Sequence, residues 1–338
     1  MSEELLHVFR GAMVENIHRG DIVVVDYKGK ITAGVGDAGK LTYFRSAAKP
    51  FLALNVILSG AAEHYGFTDR ELAIMCASHR GEEYHVEVLE SIVDKVGLPT
   101  EVLHCGIAEP FSRPAAIKMY RDNQSVTPLH CNCSGKHLAM LAVCKYKGDP
   151  LENYYTISHP VQQDGLTILE KFTGVDKQEI IIGIDGCTVP VHGIPLYNMA
   201  LAYARLANPC LMGSECGSAV HRLTNAIMTN PDMLSGQKAF CTDLMTAGHG
   251  DILGKVGADG VYCISLPKQG LGIAVKIEDG DTRSGHIVAA NTLKQMGLLS
   301  PQQLASLAKY LQTPVVDNYK NEVGKFKAIF DLHLTLEA

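Results

Sequence analysis

A serine and a lysine three residues apart form the first candidate catalytic pair, in segment 45–50, which reads RSAAKP. Residues at positions i and i+3 of a helix lie on one face, so Ser46 and Lys49 could interact. Pro50 is tolerated only in the first turn of a helix, which predicts Ser46 near the N-cap. There the helix dipole favours an oxyanion, and a desolvated lysine can accept the hydroxyl proton. By itself, the motif also fits a capping serine and a surface lysine.

A second lysine stands just before a predicted strand, in segment 255–257, which reads KVG. In serine enzymes with an S-x-x-K nucleophile, a K-[ST]-G motif accompanies the catalytic serine. Here Val256 occupies the middle position, where those enzymes carry a hydroxyl. Lys255 would supply a second positive charge, and Gly257 would let a substrate approach the strand edge.

Cysteines that could bind a metal occur in segments 131–137 (CNCSGKH) and 185–187 (DGC). The C-x-C spacing differs from a structural zinc knuckle, which needs two C-x₂₋₄-C pairs. A thiolate from the first segment, completed by Cys187 and a nitrogen, would suit zinc. The alternative interpretation is a Ser-Gly turn that opens a helix beside two unrelated thiols.

A polar turn, 77–82 (ASHRGE), joins the end of one predicted helix to the start of the next. Ser78 and His79 do not form a nucleophile–base pair by themselves, because neighbouring side chains diverge. The alternative interpretation is a solvent-facing turn without a catalytic role.

The composition of the 338-residue chain excludes several classes of protein. Apolar residues make up 46% and charged residues 20%, which is typical of globular proteins and not of disordered ones. The net charge of −6 gives no basic footprint for nucleic acid. No apolar stretch reaches the about 18 residues of a membrane helix, and the N-terminal segment lacks the apolar region of a signal peptide. We therefore expect a cytoplasmic protein that binds neither nucleic acid nor membrane, with its ten cysteines as thiols.

The predicted elements place strands at both ends of the chain and helices between them. Strands are predicted over 21–26, 31–36, 179–184, 260–266, 271–278 and 325–332. Helices are predicted over 47–58, 69–77, 84–96, 114–122, 136–146, 161–172, 195–207, 214–228, 237–247, 285–297 and 301–311. This order predicts a single catalytic unit with a sheet lobe from about 1–60 and 250–338 and a helical lobe over about 61–249. We expect the active site in a cleft of this fold.

Together these segments resemble the rhizobial-type L-asparaginases, the asparaginase II family. The matching stretches span most of the chain: VENIHRG (14–20), RSAAKP (45–50), SGAAEHYG (59–66), CASHRGEEYHVE (76–87), CSGKHLAML (133–141), GIDGCTVPV (183–191) and LGKVGADGVYC (253–263). The resemblance implies an α/β (α+β) fold of the serine β-lactamase/glutaminase-like class, an antiparallel sheet flanked by helices plus an α-helical lobe. It also implies a homodimer that hydrolyses L-asparagine to L-aspartate and ammonia.

The resemblance also implies the roles of individual residues. The family's two catalytic Ser–Lys pairs fall on Ser46 with Lys49 and on Ser78 with Lys255. Its single zinc per chain, with a water as fourth ligand, falls on Cys133, Lys136 and Cys187. The polar positions of its substrate site fall on Arg45, Ser134, His137 and Asp185. A lysine ligand must be neutral, and zinc can hold an amine deprotonated as it does a thiol.

We expect double displacement, with Ser46 as the acylated residue and with Ser78 and Lys255 orienting it and carrying protons. Zinc would anchor the α-amino or carboxylate end of the substrate, and direct attack by a zinc-bound hydroxide is the alternative. Three other functions stay open: a glutaminase, a penicillin-recognising Ser–Lys hydrolase, and a non-enzymatic protein that binds zinc through its thiols.

Overall fold

The computed structural model describes residues 1–334. Their strands are β1 (Glu3–Arg10), β2 (Met13–Asp26), β3 (Ile31–Val35), β4 (Leu41–Tyr43), β5 (Ile181–Ile184), β6 (Pro190–Pro195), β7 (Leu253–Val256), β8 (Val261–Leu266), β9 (Leu271–Ile277), β10 (Pro314–Val316), β11 (Glu322–Ala328) and β12 (His333–Leu334). Their α-helices are α1 (Lys49–Leu58), α2 (Ala61–His64), α3 (Asp69–Met75), α4 (Glu83–Val96), α5 (Arg113–Arg121), α6 (Ser134–Lys147), α7 (Pro160–Thr173), α8 (Leu196–Ala207), α9 (Ser214–Thr229), α10 (Pro231–Ser235), α11 (Phe240–Gly248), α12 (Thr282–Gln295), α13 (Pro301–Ser306) and α14 (Ala308–Leu311). Among them, no helix has the length and apolar character needed to cross a membrane.

The chain divides into two compact units. The first unit comprises Met1–Thr42, Ile194–Ala207 and the segment from Asp243 onward. The second unit comprises Tyr43–Gly193 and Asn208–Thr242. The chain passes from one unit to the other within β4, within β6, after α8 and within α11.

The first unit is built on an antiparallel sheet in the order β10-β11-β1-β2-β9-β8-β7, with β3 beside β2 and β12 beside β3. Helices α8 and α12 pack against β8 and β9, which buries the consecutive apolar residues of these strands. Gly272 permits the close approach of α8, because a Cβ at this position would overlap the backbone of Ala200.

The second unit is mainly helical, and α1 contacts α6, α7 and α9 within it. A capping box formed by Thr68 and Glu71 starts α3, which packs against α4, α6 and α9. β5 and β6 pair antiparallel, and β4 completes this small sheet in the order β4-β6-β5.

The mixed α/β class with an antiparallel sheet and flanking helices is confirmed, but the two units differ from the predicted lobes at two places. Residues 43–60 belong to the second unit rather than to the sheet lobe, because α1 packs against the helices of that unit. Residues 194–207 belong to the first unit rather than to the helical lobe, because α8 packs against β2, β8 and β9.

Candidate active site

Ser46 follows a residue with a strained backbone. Arg45 has a φ of 52°, in the left-handed region that costs a residue other than glycine about 1–3 kcal/mol. Its guanidinium lies 3.2 Å from Oδ1 of Asp185, and this ion pair helps to hold the conformation. Strain of this kind concentrates at active sites, so it supports a functional role for the half-buried Ser46.

The structure corrects the predicted N-cap position of Ser46. Helix α1 begins at Lys49, with Ala48 at the N-cap and Pro50 in the first turn. Ser46 lies earlier, inside the 3₁₀ turn Arg45–Ala48, and its carbonyl accepts the backbone N–H of Lys49. The prediction that Pro50 marks the helix start is confirmed, but a tighter turn separates Ser46 from the N-terminus of the α-helix.

Lys49 is only 1% exposed, and its amine contacts four polar groups. Nζ donates to the carbonyl of Ala77 at 2.6 Å and to Oγ of Ser78 at 3.1 Å. It also donates to the carbonyl of Asn132 at 3.4 Å and lies 3.2 Å from Sγ of Cys133. The buried amine therefore joins a serine hydroxyl to one of the predicted metal-binding thiols.

This contact set gives Lys49 a serine partner other than Ser46, and the pairing of Lys49 with Ser46 stays a prediction. Within the described residues, Ser46 is not among the hydrogen-bond partners of Lys49, whereas Ser78 is. Ser46 precedes α1 in a 3₁₀ turn, so the i, i+3 geometry of an α-helix does not apply to it. In the absence of substrate, catalytic hydrogen bonds are often longer than in the reacting complex, so this arrangement does not remove Ser46 from the catalytic set.

Ser78 lies in the loop after α3, where its backbone N–H donates to the carbonyl of Leu234 at 3.0 Å. Its side chain is half-buried, so a substrate could reach the hydroxyl. A hydroxyl within 3.1 Å of a buried amine can pass its proton to that amine or receive one from it.

The predicted metal ligands Cys133, Lys136 and Cys187 lie together in the second unit, and each is 6% exposed or less. Nζ of Lys136 is 3.0 Å from Sγ of Cys187, and a side-chain hydrogen bond links Cys187 to Cys133. Nζ of Lys136 also lies 3.8 Å from Oδ2 of Asp185. The start of α6 and the turn between β5 and β6 thus bring two sulfurs and a nitrogen to one position.

Two thiols and an amine are chemically suited to zinc, which prefers sulfur and nitrogen ligands in a tetrahedral set. In residues 1–334, no group of three or more His, Cys, Asp and Glu side chains is arranged to hold a metal ion. A metal at this position would therefore need the amine of Lys136 as its third protein ligand.

Hydrogen bonds and nearby charges shift the pKa values of the thiols in this cluster in different directions. Hydrogen bonds from Cys131 and then from Cys187 lower the pKa of Cys133 well below its ordinary value, and Lys49 and Lys136 act in the same direction. Burial alone would lower the pKa of Lys136, but Cys133, Cys187 and Asp185 outweigh burial and raise it. Cys133 is therefore the thiol held most strongly as a thiolate, between the amines of Lys49 and Lys136.

Tyr154, which the sequence analysis does not single out, holds His137. The Tyr154 hydroxyl accepts the backbone N–H of His104 at 2.8 Å and lies 2.6 Å from Nδ1 of His137. Nε2 of His137 is buried and has no partner among the described residues, so it is a polar atom that a bound ligand could satisfy.

Ser134 is held by hydrogen bonds rather than exposed to a substrate. It is fully buried, and its hydroxyl donates to the carbonyl of Leu129 at 3.1 Å. Nδ1 of His79 accepts the backbone N–H of Gly81, so Nε2 of His79 carries the proton and donates to Ser134 at 2.8 Å. The predicted substrate-binding role of Ser134 stays a prediction, and its contacts show that it fixes the first turn of α6.

Gly135→Ala is expected to destabilise the protein, because its Cβ would overlap the backbone carbonyl of Ile74 where α6 crosses α3. Separating the two helices should cost about 1–3 kcal/mol of unfolding free energy. Gly285→Ala is the matched control, since its Cβ would meet nothing closer than 3.5 Å in α12 and alanine is the better helix former. Urea unfolding measures both changes, and equal stability of the two variants would contradict the prediction.

Acid is expected to weaken the fold through His192 of β6. Burial, and then the nearby Lys136, lower the pKa of His192 from 6.5 to about 4. The unfolded chain binds this proton below pH 6.5 and the folded chain only below about 4, so stability present above pH 6.5 is lost between these values. The loss should be about 3 kcal/mol for this group.

Urea unfolding of wild type and His192→Gln between pH 7.5 and 4 measures this loss. The variant should lose less stability than wild type on acidification, and the exposed His221→Gln should behave as wild type. Identical pH dependence of wild type and His192→Gln would show that His192 does not contribute.

Lys255 lies on β7 of the first unit, where it is completely buried. Its amine donates to the carbonyl of Val256 at 2.8 Å, and its backbone is in register with Cys263 of β8. Lys255 thus lies on a separate strand, which was not predicted, just before the predicted strand that corresponds to β8, and its pairing with Ser78 stays a prediction.

A half-buried serine beside a buried lysine amine is one arrangement by which hydrolases activate a hydroxyl. The family model described as L-asparaginase II matches residues 6–328 of the chain, and the protein belongs to this family. Family membership supports amidohydrolase activity. No significant match is found among curated protein sequences.

Several solved structures are similar to this chain at low sequence identity. A crystal structure of Mglu in its native form is 14% identical, covers 85% of this chain and 67% of that chain, and has a TM-score of 0.46. A β-lactamase (Mb2281c) from Mycobacterium bovis is 13% identical, with 86% and 94% coverage and a TM-score of 0.40. A class C β-lactamase from Rhodobacter sphaeroides is 14% identical, with 82% and 95% coverage and a TM-score of 0.40.

Proposed function

We propose that the protein hydrolyses L-asparagine to L-aspartate and ammonia. The observation that carries this proposal is the buried amine of Lys49, which contacts both the hydroxyl of Ser78 and the thiol of Cys133 in a member of the L-asparaginase II family. A lysine in this setting can move protons for an attacking hydroxyl while the neighbouring cluster binds the polar end of an amino acid.

The proposed reaction is a double displacement at the side-chain amide. Oγ of Ser46 forms a bond to the amide carbon, its proton passes to the Ser78–Lys49 pair, and the C–N bond breaks as ammonia leaves with a proton from that pair. Water then attacks the ester carbon, gives up its proton to the same pair, and releases L-aspartate and the serine. Lys255 is proposed as a second amine that orients Ser78.

The strained Arg45 is the observation that favours Ser46 as the acylated residue, because its conformation fixes the entry of the chain into the turn that carries Ser46. The direct contact between Lys49 and Ser78 favours the alternative in which Ser78 is acylated. The two assignments are separated by the adduct experiment described in the Discussion.

Charged and hydrogen-bonding groups near the cluster suit the α-amino and α-carboxylate groups of the substrate. Asp185 offers a carboxylate, Arg45 a guanidinium, and His137 its buried Nε2, which has no partner among the described residues. Cys133, Lys136 and Cys187 would hold one zinc ion. As a Lewis acid, this ion would bind the amino nitrogen or a carboxylate oxygen of the substrate. The protein residues would then orient the side-chain amide toward the serines.

Ammonia release tests the proposal with purified protein and one substrate at a time. L-Asparagine should release ammonia and L-aspartate in equal amounts, and faster than L-glutamine does. Faster release from L-glutamine would assign a glutaminase, and hydrolysis of a chromogenic lactam alone would assign a penicillin-recognising hydrolase. No release from any of them, with zinc bound, would favour a non-enzymatic zinc-binding protein.

The homodimer and the cytoplasmic location stay predictions.

A further inference from the structure

Four buried thiols lie near one another in the second unit. They are Cys105, Cys131, Cys133 and Cys187, and each affects the pKa of at least one of the others. The proposed function uses only Cys133 and Cys187. The other two, Cys105 and Cys131, are 5% and 4% exposed and have no part in the proposed hydrolysis.

Backbone contacts hold Cys105 and Cys131 against each other. Sγ of Cys131 donates to the carbonyl of Cys105 at 3.4 Å, and Sγ of Cys105 donates to the carbonyl of Pro128 at 3.5 Å. Cys131 immediately follows the 3₁₀ turn Pro128–His130, so both contacts join the same two segments of chain. These two contacts hold the thiols against the same pair of segments, which is the proximity that a disulfide requires.

The segment that carries Cys105 is reachable from solvent although its sulfur is covered. Its neighbours His104, Gly106 and Ile107 are exposed. The hydrogen bond from Cys131 also lowers the pKa of Cys105, which favours the reactive thiolate. A small oxidant therefore has a short path to a thiol of raised reactivity.

We infer that Cys105 and Cys131 are a thiol–disulfide redox site, which a hydroperoxide oxidises to an intramolecular disulfide. In the first step the Cys105 sulfur attacks a peroxide oxygen, the O–O bond breaks, and hydrogen peroxide leaves one water and a sulfenic acid. In the second step the Cys131 sulfur attacks the Cys105 sulfur, the S–O bond breaks, and a second water leaves with the Cys131 proton. Two electrons pass from the two sulfurs to one peroxide.

The disulfide would alter the neighbouring cluster of proposed metal ligands, although Cys133, Lys136 and Cys187 take no part in the disulfide itself. Disulfide formation removes the one thiol hydrogen of Cys131, which donates to the carbonyl of Cys105 in the reduced protein. The adjoining His104 is fixed at both ends, because its N–H binds Tyr154 and its carbonyl accepts the Thr188 hydroxyl at 2.6 Å. Oxidation of Cys105 would therefore act on the segment around His104, which contacts Tyr154, the residue that holds His137.

Peptide mapping tests this inference independently of activity, so it can fail while the proposed function stands. The purified full-length protein is treated with hydrogen peroxide, its remaining thiols are alkylated, and it is digested with trypsin. We expect a peptide that contains Cys105 linked to the peptide that contains Cys131, with a mass two hydrogens below the sum, and its loss on treatment with dithiothreitol.

The variants locate the link, because Cys131 and Cys133 share one tryptic peptide. Cys105→Ser and Cys131→Ser should each lower the linked yield at least tenfold, while Cys210→Ser, which changes an exposed thiol elsewhere, should leave it unchanged. Circular dichroism checks that each variant is folded. A link that persists in folded Cys131→Ser, or no link when peroxide has already oxidised Cys210 in wild type, would overturn the inference.

Discussion

Ser46→Ala is expected to lower kcat by about three to six orders of magnitude, the range seen when a hydrolase loses its nucleophile. The remaining activity would come from binding and from the charged groups that stay in place. Ser78→Ala should cost less, about two to four orders, because it removes a proton carrier. Ser59→Ala, at the C-terminal end of α1, is the control and should retain activity, since Ser59 bonds only within its own turn and the next.

Mass spectrometry after rapid quench with substrate, or with a reactive asparagine analogue, identifies the acylated residue directly. Ser46 and Ser78 fall on different tryptic peptides, since cleavage after Arg70 separates them. An adduct on the peptide of Ser46 is expected. An adduct only on the peptide of Ser78 would reverse the assignment, and would agree with the contact between Ser78 and Lys49. No adduct on either, with activity that follows zinc occupancy, would indicate a metal-activated water.

Cys187→Ala is expected to abolish zinc binding, from about one ion per chain to a trace, because it leaves only two of the three proposed protein ligands. The fold should persist, since a chain of this size can bury enough apolar surface without a metal. Elemental analysis of protein purified without chelators measures the metal, and circular dichroism measures the fold.

Cys144→Ala is the matched control for the metal experiment. Cys144 is a completely buried thiol on α6, the same helix as Lys136, and burial raises its pKa. This variant should keep its zinc. Wild-type protein without zinc or any other transition metal would contradict the proposed site, and zinc retained in Cys187→Ala would contradict the proposed ligands.

The sequence pattern predicted the longer helices of the second unit, most of which have a recognisable start or end, but not the short helices α2 and α10. Helix α4 ends at Gly97, which adopts the left-handed conformation that favours glycine, and α7 begins with Pro160. Strands β1 and β6 were not predicted. β1 buries two adjacent leucines, Leu5 and Leu6, instead of alternating regularly, and β6 is short and almost wholly buried.

The candidate site was predictable only where a motif carries its own geometry. The segments around Cys133 and Cys187 were identified by residue type, but their approach depends on the packing of α6 beside the turn after β5. The left-handed backbone of Arg45 has no signal in residue type, since glycine is the usual residue in that conformation. Tyr154 lies in an irregular segment without periodicity, so only the folded chain shows its contact with His137.

The close crossing of α3 and α6 at Gly135 also has a consequence for how the site forms during folding. Ser78 follows α3, whereas Cys133 and Lys136 accompany the first turn of α6, and more than fifty residues separate these segments in the chain. Closing so long a loop carries an entropic cost before its contacts can form. Ser78 and Cys133 therefore come together through a long-range contact. A fragment that contains only one of these two helices lacks part of the candidate active site.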